Sequence, residues 1–149
     1  MVVIVKPRAR KPPQYRPESR LPARVGRAIK SAGDVFAEME DLRSADREHF
    51  VAFDLNVRNR IIARRVISIG SAIGCDAHPR EVFKHAILNG ACSMILSHNH
   101  PSGEPTPSRD DIDLTARLRE CGTLLGITIL DHVVVAAEGF VSLCERGWK

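Results

Sequence analysis

At 149 residues, 44% of them apolar and with a net charge of +4, the chain has the composition of one globular domain plus a tail, long enough to bury a core. No apolar stretch approaches the roughly 20 residues that span a bilayer, and the apolar run at residues 1–5 is broken at once by Lys6 and Pro7, so neither a membrane span nor a signal peptide is expected. Charge is unevenly divided: residues 6–30 hold nine Lys or Arg against Glu18 alone, a local +8 that leaves −4 for the rest of the chain.

Residues 1–22 place Pro7, Pro12, Pro13, Pro17 and Pro22 among the arginines, a composition that cannot bury enough apolar surface to fold alone. They read as a flexible basic arm, either a solvated tail or a weak, salt-sensitive contact to nucleic-acid phosphates. In residues 23–42, Val25, Ala28, Ile29, Ala32, Val35, Phe36 and Met39 recur at steps of three and four, which predicts helix, with a break at Gly33 and a second start at Asp34. Residues 48–56 alternate after Phe50, 56–60 supply turn chemistry and 61–69 alternate again, predicting an antiparallel hairpin.

Residues 79–88 read as a helix with Pro79 at its first position and Val82, Ala86 and Leu88 inward. Residues 92–96 form a short apolar strand. A second long helix is expected over 108–125, with Ile112, Ala116, Leu118, Cys121 and Leu125 on its buried stripe and Gly126 ending it. Strands at 127–137 and 140–144 complete the chain. This order predicts an α/β fold with a mixed sheet between helical layers. Cys75, Cys92, Cys121 and Cys144 are scattered, without a Cys-x-x-Cys pair, and read as reduced thiols of a cytoplasmic protein.

The densest chemistry lies in residues 97–111. The apolar run Met94-Ile95-Leu96 leads into His98-Asn99-His100, then a Pro/Gly-rich loop, then Ser108-Arg109-Asp110-Asp111 at the head of the second long helix. Strand side chains alternate, so strand geometry carried through His100 points both imidazoles to one side, where they can share an ion. Asp111 arrives on the first turn of the helix, and two histidines with one carboxylate make the open, catalytic type of zinc site. The same Ser108-x-x-Asp111 also reads as a capping box, which would hold that turn rigid.

His98-x-His100, seven residues and Ser108-x-x-Asp111 resemble the JAB/MPN (JAMM) metalloprotease motif, and His-Asn-His-Pro-Ser-Gly-x-Pro-Thr-Pro-Ser is similar to its bacterial RadC branch. The likeness continues through His78-Pro79-Arg80-Glu81-Val82, Leu130-Asp131-His132 and Gly139-Phe140-Val141-Ser142-Leu143, covering a domain at 45–149. It implies a three-layer α/β/α fold with a central mixed sheet, like that of cytidine deaminases, and leaves 23–44 as a remnant of the helical module that precedes this domain in longer members. It also implies Zn²⁺ on His98, His100 and Asp111, with Glu48 as general acid/base and Ser108 beside the attacking water.

Glu104 in the loop and Glu81 in a helix first turn stay open as competing carboxylates, and Asp110 as the nearest rival to Asp111. His132 in its apolar strand reads as a satisfied core histidine. The function so implied is zinc-dependent hydrolysis of a peptide or isopeptide bond in a peptide or protein substrate. The alternative is a non-enzymatic or accessory role in DNA repair, suggested by the basic arm and by the RadC name. Zinc nucleobase deaminases need His-x-Glu and a later Pro-Cys-x-x-Cys, and the chain has neither.

Overall fold

The computed structural model describes residues 25–70 and 77–149; the basic arm at 1–22 and Cys75 lie outside them. Strands β1 (His49–Leu55) and β2 (Ile61–Ile69) form the expected antiparallel hairpin. The Asn56 side chain closes it, its Oδ1 accepting from the amides of Arg58 and Arg60. Strand β3 (Ser93–Asn99) pairs antiparallel with β1 and parallel with β4 (Thr128–Val135), and β5 (Phe140–Ser142) pairs antiparallel with β4. The result is one five-stranded mixed sheet in the order β2-β1-β3-β4-β5.

Both faces of the sheet are covered. Helix α1 (Ala32–Glu38) lies on one face, where Ala32, Val35 and Met39 pack with Val51, Phe53, Leu55, Ile95, Val133 and Val135. Helices α2 (Pro79–Leu88) and α3 (Arg109–Leu125) lie on the other, where Val82, Phe83, Ala86 and Leu118 meet Phe50, Ala52, Met94, Leu96, Ile127 and Ile129. Alternation along β1 and β3 sends neighbouring residues to opposite cores, giving the α/β, three-layer arrangement. On the α2/α3 side a buried ion pair joins Arg65 and Asp54, its nitrogens 2.9 and 2.7 Å from the carboxylate oxygens, and Asn89 donates to the same carboxylate at 2.8 Å.

Four expectations need correction. Among the described residues of 23–42, the expected helix forms only at Ala32–Glu38, where Ser31 and Asp34 make a capping box. Gly26 takes a left-handed φ of 87°, and Gly26, Arg27 and Ile29 hydrogen-bond instead with Ile61 and Asn59 beside the start of β2. Ile29 joins the same core as β1, so this segment packs against the sheet.

The buried stripe of α3 is Thr115, Leu118 and Gly122, while Ala116 and Leu125 face outward. Gly122 lies where a Cβ would sit 2.4 Å from the Ile127 carbonyl oxygen, so the helix approaches β4 more closely than any side chain allows. On α2 the inward residues are Val82, Phe83 and Ala86, and Leu88 is exposed. Cys92 too is exposed, just ahead of β3 rather than within an apolar strand.

Candidate metal centre

The α3 stripe explains how a helix on one layer reaches a strand end in the next. Asp111 stands one turn before Thr115 on the same side of the helix, so the rotation that buries Thr115 and Leu118 also aims Asp111 at the sheet. Ser108 fixes that first turn. Its hydroxyl oxygen accepts from the Asp111 amide at 3.1 Å, and Asp111 Oδ2 accepts from the Ser108 amide and the Ser108 hydroxyl, each at 2.7 Å. Both parts of the capping box are present.

The histidines come from β3. His98 follows Met94 and Leu96 onto the α2/α3 face and is fully buried. His100 stands one residue past the strand, yet its amide donates to the Val135 carbonyl at 2.8 Å, extending the β3–β4 ladder and keeping the ring on the side of His98. The loop then turns at Gly103, whose φ of 87° lets its amide reach the His100 carbonyl at 3.1 Å. That turn returns the Glu104 carbonyl to 2.8 Å from His100 Nδ1, which donates to it.

His98, His100 and Asp111 therefore converge, with ligand atoms all within 4.8 Å of one another. The two Nε2 atoms are 3.0 Å apart, and Asp111 Oδ1 and Oδ2 lie 3.3 and 3.4 Å from His98 Nε2 and His100 Nε2. Hydrogen bonding to Asp111 raises the pKa of His100 against the opposing effect of burial. Burial alone would push Asp111 up, but the hydrogen bonds and charge of His100 and His98 hold its carboxyl well below the usual carboxylate range.

The donor set suits a cation. A carbonyl occupies His100 Nδ1 from behind and a second ring, His132, occupies His98 Nδ1 at 2.8 Å, so both Nε2 positions turn inward. One proton can serve only one of the gaps between them, whereas a tetrahedral ion can take two neutral imidazoles and a carboxylate and keep a fourth position open.

Glu48 immediately precedes β1. Continuing the register that pairs Phe50 with His98 sets Glu48 opposite His100, on the strand face shared by Phe50 and the two histidines. It is half-buried and lies close enough for its charge to favour protonated His100.

The rival carboxylates stand elsewhere. Glu104 is exposed, with Oε1 taken by the Thr106 amide and hydroxyl at 3.1 and 2.6 Å. Glu81 is exposed beside Arg80, and Asp110 is exposed at the start of α3 and is not among the converging groups.

Three further residues surround this centre, and their sequence context gives them no role there. His132 on β4 is buried, but its Nε2 meets His98 Nδ1 and its Nδ1 meets the Thr115 hydroxyl oxygen at 2.5 Å. Burial lowers the His132 pKa well below its ordinary value, so the ring is neutral. Asn99, between His98 and His100, faces the other way. Its Oδ1 accepts from the His49 amide at 2.7 Å and its Nδ2 donates to the Arg47 carbonyl at 2.9 Å, binding the segment that carries Glu48. The available signal is that a His, a Thr and an Asn occupy positions where strand and helix periodicity demand apolar side chains.

A mixed sheet whose central strand ends in His-x-His, with an aspartate delivered by the next helix, is the architecture of a JAB domain. The chain belongs to the RadC-like JAB domain family, whose model matches residues 29–148. Similar proteins include a UPF0758 protein of Geobacillus sp. (strain WCH70), 56% identical over 110 residues, which are 74% of this chain and 49% of the relative. The UPF0758 protein YsxA of Bacillus subtilis is 54% identical over 110 residues, 74% of this chain and 48% of its own. A UPF0758 protein of Desulforamulus reducens is 52% identical over 128 residues, covering 85% and 56%. The chain spans about half the length of these relatives. Among the described residues no helix is long and apolar enough to cross a membrane.

Proposed function

We propose that the protein is a zinc-dependent hydrolase of peptide or isopeptide bonds, with His98, His100 and Asp111 as the metal ligands and Glu48 as general acid/base. The observation that carries this reading is the convergence of three ligand atoms on one point, with a carboxylate across the strand register from it. Membership of the JAB family, in which domains can be metal-dependent, supports it. A bound zinc ion supplies Lewis acidity, polarising a carbonyl and lowering the pKa of water it holds to about 7.

The protein supplies the proton traffic. Glu48 takes the proton of the attacking water and passes it to the leaving nitrogen, which an amide requires because an amine leaves only when protonated. Ser108 holds Asp111 through its hydroxyl. The same hydroxyl would also serve as a donor to the oxygen on which negative charge develops.

The test is turnover of a library of peptides and isopeptide-linked conjugates by the zinc-replete protein, repeated after chelation and again after zinc is restored. Activity lost and regained supports the proposal. A folded protein free of zinc after metal-replete purification would overturn it and leave the accessory reading.

A further inference from the structure

The hydrogen-bonding capacities of a few atoms give a direction to a chain of contacts that joins two of the proposed ligands from behind. Thr115 Oγ1 lies 2.6 Å from the Asp111 carbonyl oxygen. A carbonyl only accepts, so the single hydroxyl proton is committed there. The same Oγ1 meets His132 Nδ1 at 2.5 Å, and Nδ1 must then be the donor of that pair. His132 Nε2 lies 2.8 Å from His98 Nδ1. A neutral imidazole that offers its Nε2 lone pair to a cation carries its proton on Nδ1, so His98 donates and His132 accepts. Every contact along the path then has one direction, and reversing any one of them sets two protons or two lone pairs against each other.

We propose that His132 and Thr115 are positioning residues of the metal centre. They hold His98 in the tautomer that offers Nε2 to the ion and tie it to the backbone of Asp111, the ligand brought by the neighbouring helix. The inference rests on the reading of His98, His100 and Asp111 as ligands. His98 Nε2 and Asp111 Oδ1 stand 3.3 Å apart in front, where both would hold the ion, while His132 and Thr115 join the two residues behind, so one closed ring spans β3, β4 and α3.

The packing supports that role. His98, His132 and Thr115 are all buried, which removes water as a substitute partner. Phe50 stacks on His98 and meets His132 edge-on, with ring centroids 6.1 and 5.4 Å away, fixing both ring planes. Without the Thr115 oxygen nothing keeps the His132 proton on Nδ1. The other tautomer aims an N–H at His98 Nδ1 and drives the His98 proton to Nε2, where the ion must bind.

The experiment compares Zn²⁺ dissociation constants of the full chain, by competition with a chromophoric chelator, for wild type, Thr115→Val, Thr115→Ser and His132→Phe. Thr115→Val is expected to weaken binding about 10-fold and His132→Phe up to about 100-fold, the range seen when partners of ligating histidines are removed. Thr115→Ser, which keeps the hydroxyl, should stay near wild type.

Long-range ¹H–¹⁵N imidazole spectra read the tautomers directly. Wild type should carry the proton on Nδ1 of both His98 and His132, and zinc-free Thr115→Val should gain an Nε2-protonated His98. A purely structural role would lower the melting temperature and leave those tautomers in place.

Equal dissociation constants for Thr115→Val and Thr115→Ser, or an Nε2 proton on wild-type His132, would overturn the inference. Should His132→Phe not fold, the Thr115 pair and the wild-type spectrum decide. Wild type that binds no zinc would sink the metal-site reading itself, and the zinc-free spectrum would still report the His132 tautomer.

Discussion

His98 Nε2 and His100 Nε2 face each other at 3.0 Å, and neither ring can turn away, because each has its Nδ1 held from behind by a partner on a different segment. Two inward Nε2 atoms beside the Asp111 carboxylate, which comes from another element, make a point suited to a cation.

The protein is accordingly expected to bind about one zinc ion per chain, as three-ligand catalytic sites do. His98→Ala, His100→Ala and Asp111→Ala should each lower the zinc content of purified protein by elemental analysis, and Asp110→Ala should not. Equal loss from Asp110→Ala would move the ligand by one residue.

Zinc stabilisation should grow with pH. His100 is raised above its ordinary 6.5, so in the zinc-free protein its interaction with Asp111 is fully present below 6.5 and lost as pH rises through the raised value. Asp111 is lowered from 3.8, so its contribution is present above 3.8 and lost as pH falls through the lowered value. Zinc must displace the His100 proton, so the gain in melting temperature on adding zinc should increase between roughly pH 5 and 8. A gain independent of pH would remove His100 from the ligand set.

Glu48→Gln should keep zinc and fold while abolishing hydrolysis, since the amide matches the carboxylate in shape but cannot accept the proton of water. Glu104→Gln, at an exposed tip tied to Thr106, should leave turnover unchanged. Full activity of Glu48→Gln on any substrate found would exclude Glu48 as the proton carrier.

Ser108→Ala removes the helix cap and the hydroxyl on Asp111 together. Thermal and denaturant melts should show a loss of about 1 kcal/mol, and zinc content should fall less than in Asp111→Ala because the Ser108 amide still holds Oδ2. Unchanged stability would mean that the cap contributes nothing measurable.

Arg65→Met tests the core away from the centre. It strands the Asp54 carboxylate, buried and left with Asn89, and removal of one partner of such a pair costs about 3–5 kcal/mol. Denaturant melts should show a loss of that size, and a loss under about 1 kcal/mol would mean that water reaches Asp54.

Much of the architecture is legible in the chain. Alternation through residues 50–55 and 61–69, Pro79 at a helix start, and Ser108 and Gly126 bracketing α3 are local signals, and the structure has the corresponding elements. The misread stretches are those where a long-range partner outweighs local pattern. Residues 26–29 have helical spacing but hydrogen-bond beside β2. The α3 stripe contains a threonine and a glycine, which periodicity counts as non-core, because one bonds His132 and the other lets the helix approach β4.

The sequence by itself determines the chemistry available: two histidines on one face of a strand end, and an aspartate locked into a capped first turn by Ser108. Those are short-range facts of φ/ψ, alternation and capping. Only the tertiary structure decided that Asp111 and not Asp110 meets the histidines, that Glu48 stands across the register from His100, and that His132 backs His98 instead of merely filling the core. Each depends on how α3 rotates and how β1, β3 and β4 align, which contacts between residues up to about fifty positions apart determine and no local pattern encodes.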